Sequence, residues 1–430
     1  MSDPSLPTEL KWIIAEHLCG DEATLSALSL VSKDWLVPSQ TSLFSQIAPK
    51  ITSPRTLTNM ISFFTAYPHF AACTRRLLLR DGELESPHIE LQFDEILSLI
   101  SLMPNLHALT LDDCRIVSSK PSDLYATFRH PCNLVVQDVF IDIQTLALLC
   151  SCLAGHTLIL GATADVFGWV DPKSFKFIPP QSFSDMRALD ISKLSDSVEL
   201  ESLADPWPMI ILRSCSDQLR SVGLPLTLNM QSEMCMSWEF LKTKGRHIEH
   251  LRLDMSETFI LAHENLILSS ESDEFGGIPL GWEYGCLSET SPNLKSITLV
   301  LFANSPDIYN HNRDTSRATL LQWRYALRLL SSCPLTVTHI FVEFWTLSSH
   351  VPDRTLAIAG LVDWKEWNEV LGRFGNLESF RFVAPGTHWV EGHGETCEFE
   401  PSTTEFVLNW EAYVREWFTS PRLRSMEHFA

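Results

Sequence analysis

Beyond residue 50, one arrangement of apolar and polar positions recurs: an apolar residue, two variable ones, an apolar residue, one variable, then another apolar residue. Copies with a similar prefix are "MPNLHALTL" (Leu106, Leu109, Leu111), "SPNLKSITL" (Leu294, Ile297, Leu299) and "FGNLESFRF" (Leu377, Phe380, Phe382), and "SPRLRSM" begins the same register at Leu423. Weaker copies place Leu77 and Leu79, Leu189 and Ile191, Val222 and Leu224, Leu251 and Leu253, and Ile340 and Val342 in the same pattern, with marginal copies near Leu134 and Leu158. The last two apolar positions of each copy alternate with a variable one, as a strand buried on one face requires. Helical periodicity precedes several copies: "FDEILSLISLM" sets Ile96, Leu97, Ile100 and Met103 on one face, and "TLLQWRYALRLL" and "WKEWNEVLGRF" precede the copies at Val337 and Leu377.

A helix-turn-strand unit spaced at roughly 30 residues, widening to about 40 in the second half, resembles an irregular leucine-rich-repeat solenoid built on a parallel sheet. Such a unit cannot bury its apolar face alone, so stacking supplies the shared core. The pattern assigns residues 49–430 to this α/β solenoid; the alternative is one or two ordinary α/β domains.

The first 48 residues follow a different pattern. From Thr8 to Leu18, Leu10, Ile13, Ile14 and Leu18 fall at helical spacing, with Pro7 suited to the first turn and Glu9 favoured near a positive helix end. Gly20 is placed to end this helix and Asp21 to cap the next, which carries Leu25, Leu28, Leu30 and Val31 before Ser32 and Trp35, with Pro38 predicted as the stop. Three short helices bury little surface by themselves, so apolar surface is left over.

"LPTEL", "LSLVSKDW" and the "LF" at 43 and 44 resemble the F-box motif, a helical module near the N-terminus of many substrate receptors of cullin-RING ubiquitin ligases. With the repeats, the chain resembles fungal F-box proteins with degenerate leucine-rich repeats. The resemblance implies that residues 1–48 dock on a Skp-family adaptor, and through it a cullin, by way of Leu6, Pro7, Glu9, Leu10, Ile14, Leu18, Leu28, Val31 and Trp35, a minority of which form the module's own core. Two departures stand out: Ser32 where many members have Cys, and the bulky Trp12 beside Lys11. The alternative for residues 6–47 is a helical cap on the following domain, with Trp35 as core.

Composition narrows the partners. The 32 Lys and Arg against 53 Asp and Glu give a net charge of -21 over 430 residues, which opposes nucleic-acid binding. No apolar run approaches the roughly 18 residues of a spanning helix, and "MSDPSLPTEL" lacks a secretory leader pattern, so the expectation is a soluble protein of cytoplasm or nucleus with no membrane partner. The 11 cysteines, without a CxxC pair, read as reduced thiols. No nucleotide cradle, HExxH helix or GxSxG elbow occurs, and no cofactor or metal is expected. His393, Glu395 and Cys397 in "EGHGETCEFE" read as a solvated acidic loop, and His247 and His250 need no special role.

The reading is therefore a non-catalytic receptor whose repeats hold a protein substrate; a Skp-binding scaffold without a cullin and an enzyme with a dispersed site are the rivals. In a solenoid the variable strand positions point to solvent, which makes Arg76, Arg80, Asp112, His250, Arg252, Asp254, Glu343 and Arg381 candidates for reading the substrate. Three long connections, "GATADVFGWVDPKSFKFIPPQSF", "SSESDEFGGIPLGWEYG" and "VAPGTHWVEGHGETCEFEPSTTEF", carry Phe167, Trp169, Trp282, Tyr284 and Trp389, aromatic types that anchor interfaces, or else fold back over repeat edges.

Overall fold

The computed structural model describes residues 6–53, 55–81, 89–118, 128–137, 139–161, 183, 185–192, 207–226, 231–255, 286–302, 313–345 and 363–383. The chain divides into two compact units, Met1–Arg187 with Ser214–Ser216, and Ala188–Arg213 with Asp217–Ala430. Each is α/β, and in each the strands of the main sheet are parallel.

The first unit opens with three helices. Pro7 sits just ahead of α1 (Thr8–His17) rather than inside it, and its carbonyl accepts the Lys11 amide at 3.2 Å. Gly20, at φ 103°, turns the chain through the left-handed region, where glycine alone is unstrained. Asp21 then caps α2 (Glu22–Val31): its Oδ1 accepts the Thr24 amide at 3.0 Å and its Oδ2 accepts the Thr24 hydroxyl at 2.7 Å. The chain breaks at extended Ser32, not at Pro38, which lies inside α3 (Lys33–Leu43). Pro38 has no amide to bond the Asp34 carbonyl, yet its ring is buried, and that packing offsets the lost bond.

The unit continues through β1 (Gln46–Ile47), β2 (Lys50–Ile51), α4 (Arg55–Ala66), α5 (Pro68–Cys73), β3 (Arg76–Asp81), β4 (Glu90–Gln92), α6 (Phe93–Ser101), β5 (Ala108–Asp112), β6 (Arg115–Val117), β7 (Cys132–Gln137), α7 (Ile143–Cys152) and β8 (Ala154–Leu160). The main sheet runs β1-β3-β5-β7-β8, while β4 and β6 form a separate ladder. Leu77, Leu109, Leu134 and Leu158 lie in register across it, as do Leu79, Leu111, Val136 and Leu160, and all are buried. The alternation read from the sequence thus becomes two stacked rows of core side chains, and the marginal copies at Leu134 and Leu158 belong to them. Ile96, Leu97 and Ile100 of α6 and Met103 after it are buried too. The register shifts between Cys132 and Leu134, where β8 presents Gly155; a methyl group there would overlap the Cys132 carbonyl.

The second unit holds β9 (Ala188–Asp190), α8 (Trp207–Ser214), β10 (Ser221–Pro225), α9 (Gln231–Lys244), β11 (His250–Asp254), α10 (Leu287–Thr290), β12 (Ser296–Phe302), α11 (Arg313–Ser332), β13 (His339–Trp345), α12 (Trp364–Gly372) and β14 (Ser379–Val383). Its strands pair in chain order from β9 to β14. Leu189, Val222, Leu251, Ile297, Ile340 and Phe380 form one buried row, and Leu224, Leu253, Leu299 and Val342 a second. Trp323 of α11 meets Trp364 and Trp367 of α12 edge-on, with ring centroids 6.0 and 5.6 Å apart.

The shared prefix has a physical basis. Leu106, Leu294 and Leu377 are buried at a turn closed by their own amides on the carbonyls of Met103, Ser291 and Phe374, at 3.1, 3.1 and 3.2 Å. The preceding asparagines reach back to the previous repeat: Asn105 Nδ2 donates to the Ala72 carbonyl at 2.7 Å, and Asn293 Nδ2 to the Arg246 carbonyl at 2.8 Å. The copy at Leu423 lies outside the described residues.

Candidate functional site

Two surfaces carry the residues singled out by sequence. The first is the outer face of α1 to α3. Inside this module Lys11, Ala15, Leu25, Pro38 and Ser39 are buried, so only one large aliphatic side chain, Leu25, is fully enclosed. The Lys11 stem is sunk among them while its ammonium reaches Asp34 Oδ2 at 3.0 Å.

Of the nine residues placed on motif positions, Leu6, Pro7, Glu9, Leu10, Ile14 and Val31 are exposed, Leu18, Leu28 and Trp35 are half-buried, and none is buried. Exposed apolar residues off the motif join them: Trp12, Ile13, Leu30, Leu36 and Val37. Leu6, Leu10, Ile13, Ile14 and His17 recur at steps of three and four, which makes one outward stripe on α1, while Lys11 and Ala15 face the module's interior. Helical spacing already marked Ile13; Leu30 lay in the apolar run of α2 with nothing local to say which side it takes. Single exposed apolar residues are ordinary, whereas here an assembly of them lies on three short helices.

The second, taken in each unit by itself, is the outer face of its strands. Arg76, Arg80 and His250 are exposed and Arg252 is half-buried, as outward positions should be. Asp112 and Asp254 are buried instead. At that end of the strands the alternation stops: Leu111 with Asp112, and Leu253 with Asp254 and Met255, are all buried, as parallel strands enclosed on both faces are. Asp112 is compensated by Arg80, its register neighbour, through the guanidinium Nε and Nη2. Arg252 Nη1 is bound to Glu343 at 2.9 Å to Oε1 and 2.8 Å to Oε2, and His250 Nδ1 lies 2.9 Å from the Ser296 hydroxyl. These pairings join strands distant in sequence, so local pattern cannot reveal them. Trp169, Trp282, Tyr284 and Trp389, with Phe167 and the "EGHGETCEFE" loop, lie outside the described residues.

Among the described residues, no group of three or more His, Cys, Asp or Glu is placed to hold a metal, and no helix is long and apolar enough to cross a membrane. Burial pushes the Cys114 thiol up to about 12, with the Asp112 charge adding to the effect, and burial does the same at Cys132, the reverse of what an activated nucleophile needs. No protein-family model and no curated protein matches the chain.

Proposed function

We propose that the chain is a substrate receptor of a Skp-cullin-F-box ubiquitin ligase. In this reading α1 to α3 are the F-box, the helix-strand units form a leucine-rich-repeat solenoid, and the repeats hold a protein substrate. The observation that carries it is the apolar face of α1 and α2, with Leu10, Ile13, Ile14, Leu30 and Val31 outward on a module whose interior encloses only Leu25 among large aliphatics. Its mechanism is proximity: the receptor raises the effective concentration of a substrate lysine near the charged conjugating enzyme and contributes no reacting group.

The test is capture of purified Skp-family adaptor and of a cullin by the full-length chain and by a chain beginning near residue 49. Capture of both by the full-length chain alone supports the receptor. Adaptor without cullin favours a scaffold that acts apart from the ligase, and no adaptor at all removes the F-box assignment.

A further inference from the structure

Among the described residues, the outer face of the second unit's sheet carries the Arg252–Glu343 ion pair and, on β14, Arg381 without a partner. Strand register sets Arg252 of β11, Thr298 of β12, Phe341 of β13 and Arg381 of β14 in a single row. The residues before them, Leu251, Ile297, Ile340 and Phe380, are buried, so the row itself faces outward. Thr298 is short, and Arg252 reaches past it to Glu343, which lies two residues beyond Phe341 and on the same face. Arg381 has no hydrogen-bond or ion-pair partner among the described residues, and its Nε is sealed from solvent without an acceptor; the Arg252 Nε is in the same state. The Arg252 Nε is sealed although that guanidinium is ion-paired, so the Nε atoms alone call for no ligand; what sets Arg381 apart is that its whole guanidinium lacks a partner among the described residues.

We propose that this row anchors an acidic side chain, Asp or Glu, of the bound protein substrate, with Arg381 taking its carboxylate and Phe341 giving the adjacent apolar contact. The proposal rests on the receptor reading above. Charge is read locally: Arg252 is paired with Glu343, and Asp190 and Asp254 stand on the β9 and β11 side of the same face, so the uncompensated positive charge lies at β14, where the Arg381 guanidinium can take one carboxylate. A phosphomonoester carries about -1.5 to -2 and would leave excess negative charge beside Glu343, on a chain whose net charge is already -21. The guanidinium fork matches a carboxylate in two parallel bonds, and arginine beside an aromatic ring is a composition enriched at interface hot spots.

The test presents full-length protein to immobilised hexapeptide libraries, degenerate except for one central residue fixed as Glu, Gln, phosphoserine or Lys. The Glu library is expected to retain about fivefold more protein than its Gln isostere, since Arg381 is half-buried and solvent still screens part of a charge-assisted pair there. Arg381→Gln brings that ratio to one. Glu343→Gln releases Arg252 as a second cation and is expected to raise the ratio and admit phosphoserine, a gain that an unfolded variant cannot mimic. Equal retention of Glu and Gln, a wild-type preference for phosphoserine, or a Glu preference that survives Arg381→Gln overturns the proposal. Adaptor capture is scored in parallel and is expected to be the same in both variants. A failed receptor reading thus shows as lost adaptor capture, and a failed anchor site as lost acid selectivity.

Discussion

Removing the outward face of α1 and α2 should abolish adaptor binding while sparing the fold. The perturbation is Leu10, Ile13, Ile14 and Leu30 to Ala together. Their fractional exposures are 44%, 49%, 39% and 86%, and full burial of such a side chain is worth about 2 kcal/mol. Covering what each now exposes contributes about 1 kcal/mol from each of the α1 residues and nearer 2 from Leu30, together about 4 to 5 kcal/mol. At 1.4 kcal/mol per decade, the dissociation constant should rise about a thousandfold. Only the already buried fraction of the α1 side chains is lost to the fold. Titration calorimetry of wild type and variant against purified adaptor gives the affinity, and thermal unfolding gives the cost to the protein. A variant that unfolds near the wild-type temperature and binds the adaptor within threefold of wild type would refute the assignment of this face.

Three further expectations concern the fold. Leu109→Ala, in the first buried row, should cost about 2 to 5 kcal/mol in denaturant unfolding as a buried truncation; a loss within error would contradict the register of β3, β5 and β7. Lys11→Leu removes a charge from the module's interior and leaves Asp34 exposed to water, so it should be neutral or stabilising by up to about 1 kcal/mol, and a lowered unfolding temperature would show that the ion pair outweighs its desolvation. The thiols of Cys114 and Cys132, raised from 9.0 to about 12 by burial, ionise more readily in the unfolded chain, so stability is full below pH 9 and declines as pH rises from there through about 12. Unfolding in guanidinium at pH 8 and 10.5 reads that decline, and at pH 8 a thiol reagent should label exposed Cys19 and Cys235 well before the buried pair.

The repeat register was legible because a parallel ladder repeats one local rule: an asparagine or other turn residue, a buried leucine, then two inward positions separated by one outward one. Leu106, Leu109 and Leu111 satisfy it within a few residues, and the strands inherit it. The stop at Pro38 was misread because proline's missing amide is a local cost, whereas the burial that offsets it is tertiary. Asp112 and Asp254 were misread as solvent-facing for a related reason: alternation describes the middle of a strand but not its enclosed end. The exposed apolar face of α1 and α2 was half legible. Leu10 and Ile14 carried the motif, but Leu30 is exposed because three helices supply too little interior to receive it, a consequence of volume and not of any residue near it. Arg252 with Glu343, 91 positions apart, follows from strand register alone and has no signature along the chain.

The asparagines at 105 and 293 each spend their side chain on a carbonyl of the helix-strand unit before, and the backbone does likewise where strands begin: the amides of Lys295, Thr338 and Glu378 donate to the carbonyls of Glu249, Lys295 and Thr338. Where strands end the bonds run the other way: the amides of Ile191, Leu226 and Met255 donate to the carbonyls of Gly223, Asp254 and Val300 in the helix-strand unit that follows. Each inner one is thus fastened at one end by what it gives and at the other by what it receives, and cutting the chain after any one of them leaves acceptors open at the start of its strand and donors open at its end.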